Sequence, residues 1–373
     1  MRQPEHIAIA GGGIIGLACA LLLTDRGRKV SLFEGGEAVR EASWAAGGML
    51  AVEDPENPAD LLPFSRYSRA LYPSFLERIE ALSGCRVPFR THQTVQIADP
   101  ARPTAAGTPL SRDEALRLIP GLADGNHSYL LLEEASLDPR ELCAALRTAA
   151  AAARVAIYEY EPVLSIAAAG EAAVLTTPRR VLHGDAFVNC CGAWAASLHA
   201  SSPVAPSKGQ MLVVAQPAGS RLTRVLRSPE VYLIPRGPFS NNNDDGRIVI
   251  GATVEDAGYS KLVEPAALAL LRRRAAALWS PAVDASEVES WAGLRPGTAD
   301  GLPFLGQIGA DDGDARQFLA AGHHRNGILL APGTAHVIAD LVSGRTPAID
   351  LAPFSPHRAS PSTACDKHFA AAL

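Results

Sequence analysis

Apolar residues are distributed over the first part of the chain as in a strand, a glycine turn, a helix and a second strand. Residues 7–10 form a short apolar run, which is typical of a buried parallel strand. Gly11, Gly13 and Gly16 follow with G-x-G-x-x-G spacing at the start of a predicted helix. Residues 29–33 are the next apolar run and predict the second strand. This order predicts a β-α-β unit of a doubly wound α/β fold.

Each part of this unit suits an adenine dinucleotide. The first glycine permits a tight turn, the second lets the backbone approach a pyrophosphate, and the third lets helix and strand pack closely. Glu34 ends the second strand, where its carboxylate can accept hydrogen bonds from ribose hydroxyls and disfavours a 2′-phosphate. A signal peptide or a membrane span is the alternative. However, Glu5 stands where a basic region would be, and Asp25 ends the apolar stretch too early to span a bilayer.

Apolar runs farther along the chain predict more elements. Residues 59–82 and 139–153 are helix-like, and residues 94–98 are strand-like. Residues 185–194 predict another strand of the nucleotide-binding sheet, with Gly192 at a turn where the backbone can again approach a cofactor. The remaining runs predict antiparallel strands at residues 211–215, 231–236 and 247–253, the last two joined by a polar loop at 241–246.

Composition narrows the class of protein. Of the 373 residues, 47% are hydrophobic and 20% are charged, as in a globular protein with a large core. The formal net charge of -5 comes without a basic cluster, so we expect no nucleic-acid or membrane partner. The six cysteines show neither C-x-x-C nor zinc-site spacing. They predict buried thiols in a reducing cytoplasm and no metal site.

The single nucleotide fingerprint indicates how electrons arrive. Enzymes that pass hydride from NAD(P)H to a flavin usually carry two dinucleotide sites, and no second glycine-rich fingerprint follows in this sequence. We therefore expect electrons to come directly from an organic substrate. A single fingerprint interrupted by a long insertion and an antiparallel sheet favours FAD over NAD, because FAD stays bound and needs a cover over its isoalloxazine.

The predicted fold is α/β, with a doubly wound, Rossmann-like FAD-binding domain and an interleaved substrate domain built on an antiparallel or mixed sheet. We assign residues 1–83, 139–205 and 291–352 to the discontinuous FAD-binding domain, and residues 84–138 and 206–290 to the substrate-binding domain. Residues 353–373 carry prolines and scattered serines and predict a loosely ordered tail.

Four segments carry a family resemblance. They are GGGIIG at 11–16 with Glu34, EASWAAGGML at 41–50, YLIPR and RIVIGAT within 232–253, and WAGLRPGTADGLPFLG to GHHRNGILLAPGTA within 291–335. They resemble the D-amino-acid oxidase family of FAD proteins, most closely its glycine oxidase branch, which is associated with thiamine thiazole biosynthesis. The resemblance implies an active site between the two domains. Related sarcosine oxidases can tether flavin through a cysteine near residues 291–306, and none is present there, so we predict non-covalent FAD.

The resemblance places further segments at the flavin. Residues 42–49 are too small and glycine-rich for an ordinary amphipathic helix, and we expect them along the ribityl chain and ring, a tight helix contact being the alternative. A predicted strand at 318–321 leads through a glycine loop to helix-prone residues 335–342, and the helix start would face the negative charge of reduced flavin. The predicted FAD-binding residues are Gly11, Gly13, Ile14, Ile15, Gly16, Glu34, Gly35, Ala42, Ser43, Gly47, Gly48, Met49, Val163, Gly192, His323, His324, Arg325, Asn326, Gly327, Ile328 and Leu329.

The two adjacent histidines of that loop have two interpretations. His323 and His324 could act as a base or as metal ligands, but no matching acid or cysteine spacing surrounds them. We therefore favour backbone roles for both residues.

Three residues are predicted to be catalytic and to bind substrate. Arg295 stands in the L-R-P-G setting of the family's carboxylate-binding arginine, where a strand should end, and the alternative is a buried arginine paired with an acid. Tyr232 matches the tyrosine of the same carboxylate clamp, or is a core residue. Arg325 matches an arginine near the substrate and the flavin edge, or forms a surface salt bridge. Glu230 departs from the neutral or histidine residue expected there, which puts the amine preference in doubt.

The resemblance implies an amine oxidase. A small amino acid or amine would bind through its carboxylate, and its neutral amine would drive hydride transfer from Cα to flavin N5. Molecular oxygen would then take the electrons as hydrogen peroxide, leaving an imine or a 2-oxo acid with ammonia. Glycine, sarcosine and small D-amino acids are the expected substrates, and thiamine thiazole synthesis is the expected use. An oligomer is suggested only by analogy with homologues.

Other functions stay open at this point. One is a D-amino-acid dehydrogenase or secondary-amine oxidase with an acceptor other than oxygen, although no amphipathic membrane helix favours a quinone. A second is a flavin-binding module without turnover, and a third is an NAD-dependent dehydrogenase.

Overall fold

The computed structural model describes residues 4–99, 106–125, 127–169, 172–201, 203–217, 219–237, 246–308 and 316–358. Its α-helices are α1 (Ile14–Asp25), α2 (Ala42–Ala45), α3 (Leu62–Ala70), α4 (Tyr72–Ser83), α5 (Arg112–Leu118), α6 (Pro139–Ala152), α7 (Pro265–Leu278) and α8 (Gly327–Val342). Its strands are β1 (His6–Ala10), β2 (Lys29–Phe33), β3 (Phe89–Thr91), β4 (Thr94–Ile97), β5 (Thr108–Leu110), β6 (Tyr129–Leu132), β7 (Ser136–Leu137), β8 (Ala156–Tyr158), β9 (Ser165–Ala169), β10 (Ala172–Thr176), β11 (Val181–Gly184), β12 (Ala186–Asn189), β13 (Ala205–Ala215), β14 (Val225–Arg227), β15 (Tyr232–Arg236), β16 (Arg247–Gly251), β17 (Glu287–Gly297), β18 (Phe304–Ile308) and β19 (Arg316–Ala321).

A six-stranded sheet forms the predicted nucleotide-binding layer. Its order is β18-β19-β12-β1-β2-β8, and all neighbours are parallel except β18 and β19. The chain therefore winds outward from β1 in both directions, as predicted. The carboxyl ends of β1 and β12 meet at one edge, and this reversal of strand order is where doubly wound sheets bind ligands.

Alternate residues of β1 serve the two faces of this sheet. Ile7 and Ile9 belong to the large core formed with helices such as α1, α6 and α8. Ala8 and Ala10 belong to a smaller core that includes residues of the three-stranded sheet β9-β10-β11. This small antiparallel sheet was not predicted from the sequence, because its strands are short and two of them, β9 and β10, are rich in alanine.

An eight-stranded mixed sheet forms the second layer, in the order β17-β13-β16-β15-β14-β4-β6-β5. Strand β17 pairs with β13 as far as Gly297, so the proposed domain boundary at residue 291 falls inside a strand of this sheet. The expected end of a strand at Arg295 was also too early. Pro296 continues the pairing, opposite Pro206, because β17 is an edge strand, where proline is tolerated.

Helix α8 is longer than predicted. Helix-prone residues were expected only from position 335, yet the helix begins at Gly327 and contains Pro332. Proline at this position disturbs hydrogen bonds of the preceding turn. Ser68 of α3 compensates, since its Oγ donates to Leu329 O (2.7 Å) and accepts from Gly333 N–H (2.9 Å). Tyr72 Oη donates to Ile328 O at 2.5 Å. Side chains from neighbouring helices thus sustain α8.

The last described residues differ from the predicted loose tail. Phe354 is buried, and the Arg358 guanidinium binds the Asp300 carboxylate at 2.7 and 2.9 Å. The tail prediction is therefore wrong for residues 353–358, while residues 359–373 lie outside the described part of the chain. The predicted loop at 241–246 also lies outside it, apart from Gly246.

Candidate active site

A cavity of about 670 Å³ opens between the two large sheets, at the carboxyl end of β1. All the residues predicted to bind FAD or substrate line this cavity except Gly16 and Leu329. A Cβ at Gly16 would lie 1.9 Å from Gly11 O, so this glycine permits the close helix–strand packing that was predicted for it. Leu329 is buried in the core and is not among the residues that line the cavity, so a backbone contact between Leu329 and the flavin stays a prediction.

The nucleotide end of the cavity is built by the first β-α-β unit. Gly11 has φ +101°, and a Cβ there would lie 2.2 Å from Cys190 O. The Glu34 carboxylate accepts Gly12 N–H at 2.7 Å and Gly36 N–H at 3.0 Å. Because a carboxylate has about four acceptor positions, Glu34 retains capacity for ribose hydroxyls. This end of the cavity therefore fits an adenine dinucleotide.

The start of helix α1 suits a pyrophosphate. Gly13 caps the helix without a side-chain hydrogen bond, and the first turn carries no acidic residue. The positive end of the helix therefore stays available to an anion. Ser43 Oγ accepts the Ile14 N–H at 2.9 Å, which ties the second glycine-rich segment to this helix start.

That second segment, residues 42–49, forms one helical turn, α2, and then extended backbone along the cavity. The substrate sheet holds it in place: Trp291 Nε1 donates to Ala45 O at 3.1 Å, and Arg236 donates to Gly47 O at 2.8 Å. At Gly48 φ is +82°, and a Cβ would lie 2.1 Å from Leu137 O. The segment thus packs tightly and also lines the cavity, while its contact with the ribityl chain and the flavin ring stays a prediction.

Arg295 reaches the cavity from β17. Its Nη1 donates to Thr253 O at 3.1 Å and weakly to Lys208 O at 3.4 Å. It forms no ion pair with a carboxylate of the described residues, so the alternative of a buried arginine–acid pair does not hold there. Burial lowers the pKa of Arg295, but a guanidinium remains charged in proteins. Arg295 therefore presents a cation to the cavity.

Tyr232 stands beside this cation. Burial raises the pKa of the Tyr232 hydroxyl, although the nearby Arg295 guanidinium opposes that shift. The hydroxyl is therefore neutral at physiological pH and can donate a hydrogen bond. A Cβ at Gly251 would lie 2.6 Å from Tyr232 Oη, so this strand glycine provides the space for the ring.

Arg325 also lines the cavity, but carboxylates engage its guanidinium. Its Nη2 donates to Asp54 Oδ2 and its Nη1 donates to Glu56 Oε2 in short hydrogen bonds. Burial favours a higher pKa for Asp54, but the guanidinium groups of Arg227 and Arg325 outweigh it and lower the pKa to about 2. The interpretation of Arg325 as an ion-pair residue thus holds at the cavity wall. A role in catalysis stays a prediction.

The two adjacent histidines differ in position. His323 Nε2 lies 3.0 Å from Thr334 Oγ1 in the core, and burial lowers its pKa to about 3. His324 adopts φ +46°, and burial together with Arg295 and Arg325 lowers its pKa to about 3. Both imidazoles are therefore neutral. Within the described ranges no group of three His, Cys, Asp or Glu side chains is arranged to hold a metal ion.

Some cavity residues were not identified from the sequence. Gly209 and Gly251 leave space for Arg295 and Tyr232, and the available signal was a glycine inside a strand, which marks a close approach of another group. Asp54 and Arg227 carried no recognisable local pattern. The departure noted at Glu230 lies at the cavity mouth, 67% exposed, with Oε2 3.3 Å from Arg274 Nε.

No helix in the described part of the chain combines the length and the apolar character needed to cross a membrane. Cys19, Cys85, Cys143, Cys190 and Cys191 are free thiols.

Known proteins share this arrangement. Residues 6–341 match the family model described as FAD dependent oxidoreductase, DAO. Glycine oxidase of Geobacillus kaustophilus is 35% identical over 376 residues, covering 95% of this chain and 97% of that protein. The bifunctional protein ThiO/ThiG of Synechocystis is 33% identical, covering 96% of this chain and 54% of that protein. The crystal structure of glycine oxidase from Geobacillus kaustophilus has a TM-score of 0.87 at 33% identity, covering 96% of this chain and 100% of that one.

The match extends over both sheets and over the cavity between them. The first β-α-β unit has the acceptor and the helix start that an adenine dinucleotide requires. This chain belongs to the DAO family of FAD-dependent oxidoreductases, and its cofactor is FAD.

Proposed function

We propose that this protein oxidises glycine and other small amines, including sarcosine and small D-amino acids. The main support for the proposal comes from the guanidinium of Arg295. Of the described arginines that line the cavity, Arg227, Arg295 and Arg325, it is the one without a carboxylate partner. A guanidinium of this kind suits the carboxylate of an amino acid, which it can bind through two parallel hydrogen bonds.

The neighbouring groups are suited to orient such a substrate. The neutral Tyr232 hydroxyl can donate a further hydrogen bond to the carboxylate that Arg295 binds. Residues 42–49, apart from Trp44, and the turn from His323 to Gly327 line the same cavity. FAD, when bound by the residues described above, would supply a two-electron acceptor. The chain itself would contribute binding and orientation, which bring the reacting carbon and the cofactor together.

We further propose oxygen as the electron acceptor. Glycine, oxygen and water would then give glyoxylate, ammonia and hydrogen peroxide. The names of the glycine oxidase relatives support this reaction, and the ThiO/ThiG relatives support delivery of the product to thiamine synthesis.

The test is an assay of the purified, FAD-loaded protein with glycine, sarcosine, D-alanine, D-proline and L-alanine. Oxygen consumption and peroxide formation are measured, and bleaching of the flavin absorbance is followed anaerobically in parallel. Peroxide from glycine or sarcosine is the expected result. Bleaching without peroxide would favour a dehydrogenase with another acceptor, and the absence of both signals would contradict amine oxidation.

A further inference from the structure

A group of buried and partly buried charged side chains adjoins the substrate cavity at Arg325. We call Asp54, Glu56, Glu134, Arg227 and Arg325 the Asp54 network. Arg325 donates to Asp54 and to Glu56 through separate nitrogens. On its other side Asp54 lies 3.6 Å from Arg227 Nη1, and Arg227 Nη2 lies 3.0 Å from Glu134 Oε2. The side chains of Asp54, Arg227 and Glu134 are only 6%, 4% and 3% exposed.

Backbone hydrogen bonds hold two of the three carboxylates of the network in place. Asp54 Oδ1 accepts the backbone N–H of Glu56 at 3.0 Å, and Glu134 Oε1 accepts the backbone N–H of Glu53 at 2.9 Å. Arg227 Nε donates to Gln96 Oε1. Because both carboxylates are tied to the backbone, they cannot swing away from the guanidinium groups as exposed side chains can. Arg325 is thus engaged by a preformed acceptor and is not a mobile surface cation.

The Asp54 network contains no guanidinium that lacks a carboxylate partner. Three carboxylic groups face two guanidinium groups, and each guanidinium has at least one carboxylate partner. Arg295 differs, because its hydrogen-bond partners among the described residues are backbone carbonyl oxygens and the Tyr232 hydroxyl, and Glu255, which pairs with Lys208 at 3.1 Å, acts on Arg295 only through its charge. The cavity therefore has one available guanidinium and, beside Arg325, two carboxylates that would repel a further anion. Such repulsion is stronger at a partly buried site than in bulk water, and the Arg325 and Glu56 side chains are only 32% and 24% exposed.

We propose that Asp54 and Glu56 set the charge selectivity of the site. By engaging Arg325, they restrict the site to amines that carry one carboxylate and exclude amines with a second anionic group. This inference rests on the proposed amine oxidation, and it assigns Asp54 and Glu56 as specificity-determining residues that act through Arg325.

The experiment compares two compounds that differ in charge but hardly in size. Iminodiacetate is glycine with a second carboxymethyl group on nitrogen, and its monoamide replaces that second carboxylate with a carboxamide. For the FAD-loaded protein we expect kcat/KM to be at least tenfold higher for the monoamide. In the double variant Asp54→Asn with Glu56→Gln, Arg325 is released, and we expect the ratio to move at least tenfold toward iminodiacetate.

Glu53→Gln is the matched control. Glu53 neighbours Asp54 in sequence, but its carboxylate pairs with the exposed Arg66 at 2.7 Å, and it does not line the cavity. This variant should keep the wild-type ratio. Preference of the wild-type protein for iminodiacetate, or an unchanged ratio in an FAD-loaded double variant, would overturn the proposal.

A binding measurement covers the cases in which the double variant does not fold or no amine is oxidised. Malonate and malonamate, its monoamide, are titrated into the wild-type holoprotein while the flavin absorbance spectrum is recorded. We expect malonamate to bind at least tenfold more tightly. Equal or tighter binding of malonate would refute the charge selectivity, whereas selectivity without turnover of any amine would refute only the proposed oxidation.

Discussion

The guanidinium of Arg295 lies directly against Gly209 on the adjacent strand. A Cβ atom at position 209 would be 2.2 Å from Arg295 Nη2 and 2.3 Å from Nη1. In the register of β13 and β17, Gly209 pairs with Gly293, and Gly293 precedes Arg295 by two residues. The arginine can therefore cross the neighbouring strand only because that strand has no side chain there.

We expect Gly209→Ala to displace the guanidinium and to weaken substrate binding. Losing a charged hydrogen bond of about 1.5–3 kcal/mol corresponds to a rise in the glycine KM on the order of 10- to 100-fold. Steady-state kinetics with glycine measures it, and the flavin spectrum should confirm that FAD is retained. Ala205→Ser, at an exposed position of the same strand, is the control and should leave KM unchanged. An unaltered KM in Gly209→Ala would show that the position of Arg295 does not matter.

Substitution of Arg295 itself should raise the glycine KM more than substitution of Gly209. Arg295→Gln should retain FAD and raise the glycine KM by more than about 100-fold, because a bidentate charged contact is lost. Arg295→Lys should recover part of the loss, since it restores the charge without the planar fork. Kinetics over a wide glycine range tests both variants, with the exposed Arg273→Gln as the control. Wild-type kinetics in Arg295→Gln would refute the carboxylate-binding role.

Glu34 should determine the affinity for FAD. In the variant Glu34→Gln, the new side chain has one acceptor oxygen in place of the carboxylate that now accepts two backbone N–H groups. We expect the FAD dissociation constant to rise roughly 10- to 100-fold. Titration of apoprotein with FAD, followed by flavin fluorescence, measures this. Glu37→Gln, an exposed partner of Arg40, should bind FAD like the wild type.

Ser68 should contribute substantially to stability, because its hydroxyl bridges two backbone groups of α8. Ser68→Ala should lower the free energy of unfolding by about 1–3 kcal/mol, the cost of leaving buried polar groups unpaired. Ser65 on the same helix is equally buried, but its hydroxyl has no hydrogen-bond partner among the described residues. Ser65→Ala should therefore change stability little. Denaturant unfolding with excess FAD compares the two variants, and equal losses would contradict the bridging role.

His323 should make stability depend on pH. Burial lowers its pKa from 6.5 to about 3 in the folded protein, so only the unfolded chain takes up its proton as pH falls below 6.5. This residue should therefore reduce the free energy of unfolding by up to about 1.4 kcal/mol per pH unit below that point. In His323→Gln the loss between about pH 7 and pH 5, measured by denaturant unfolding, should be smaller. His183→Gln, at an exposed position, should reproduce the wild-type dependence.

The parts of the fold that sequence predicted correctly have local signals. The glycine spacing, the two apolar runs and Glu34 lie within one short stretch, and the structure has β1, α1 and β2 at those positions. Predictions failed where a contact between residues far apart in the sequence determines the local structure. Helix α8 begins well before the predicted position because Ser68 and Tyr72 compensate for Pro332. Likewise, the alanine-rich strands β9 and β10 gain their order by packing on the six-stranded sheet.

The candidate active site likewise has a part that local sequence predicts and a part that contacts between distant residues decide. The sequence by itself determined the cofactor class and part of the cavity lining, because these residues act through backbone and glycine spacing that neighbours along the chain specify. Only the tertiary structure decided which arginine is available. Arg295 and Arg325 look alike in the sequence, but Arg325 meets Asp54 from 271 positions away, whereas Arg295 meets a glycine and carbonyl oxygens. The charge of a side chain follows from its residue type, but its availability to a ligand depends on which groups the fold places beside it.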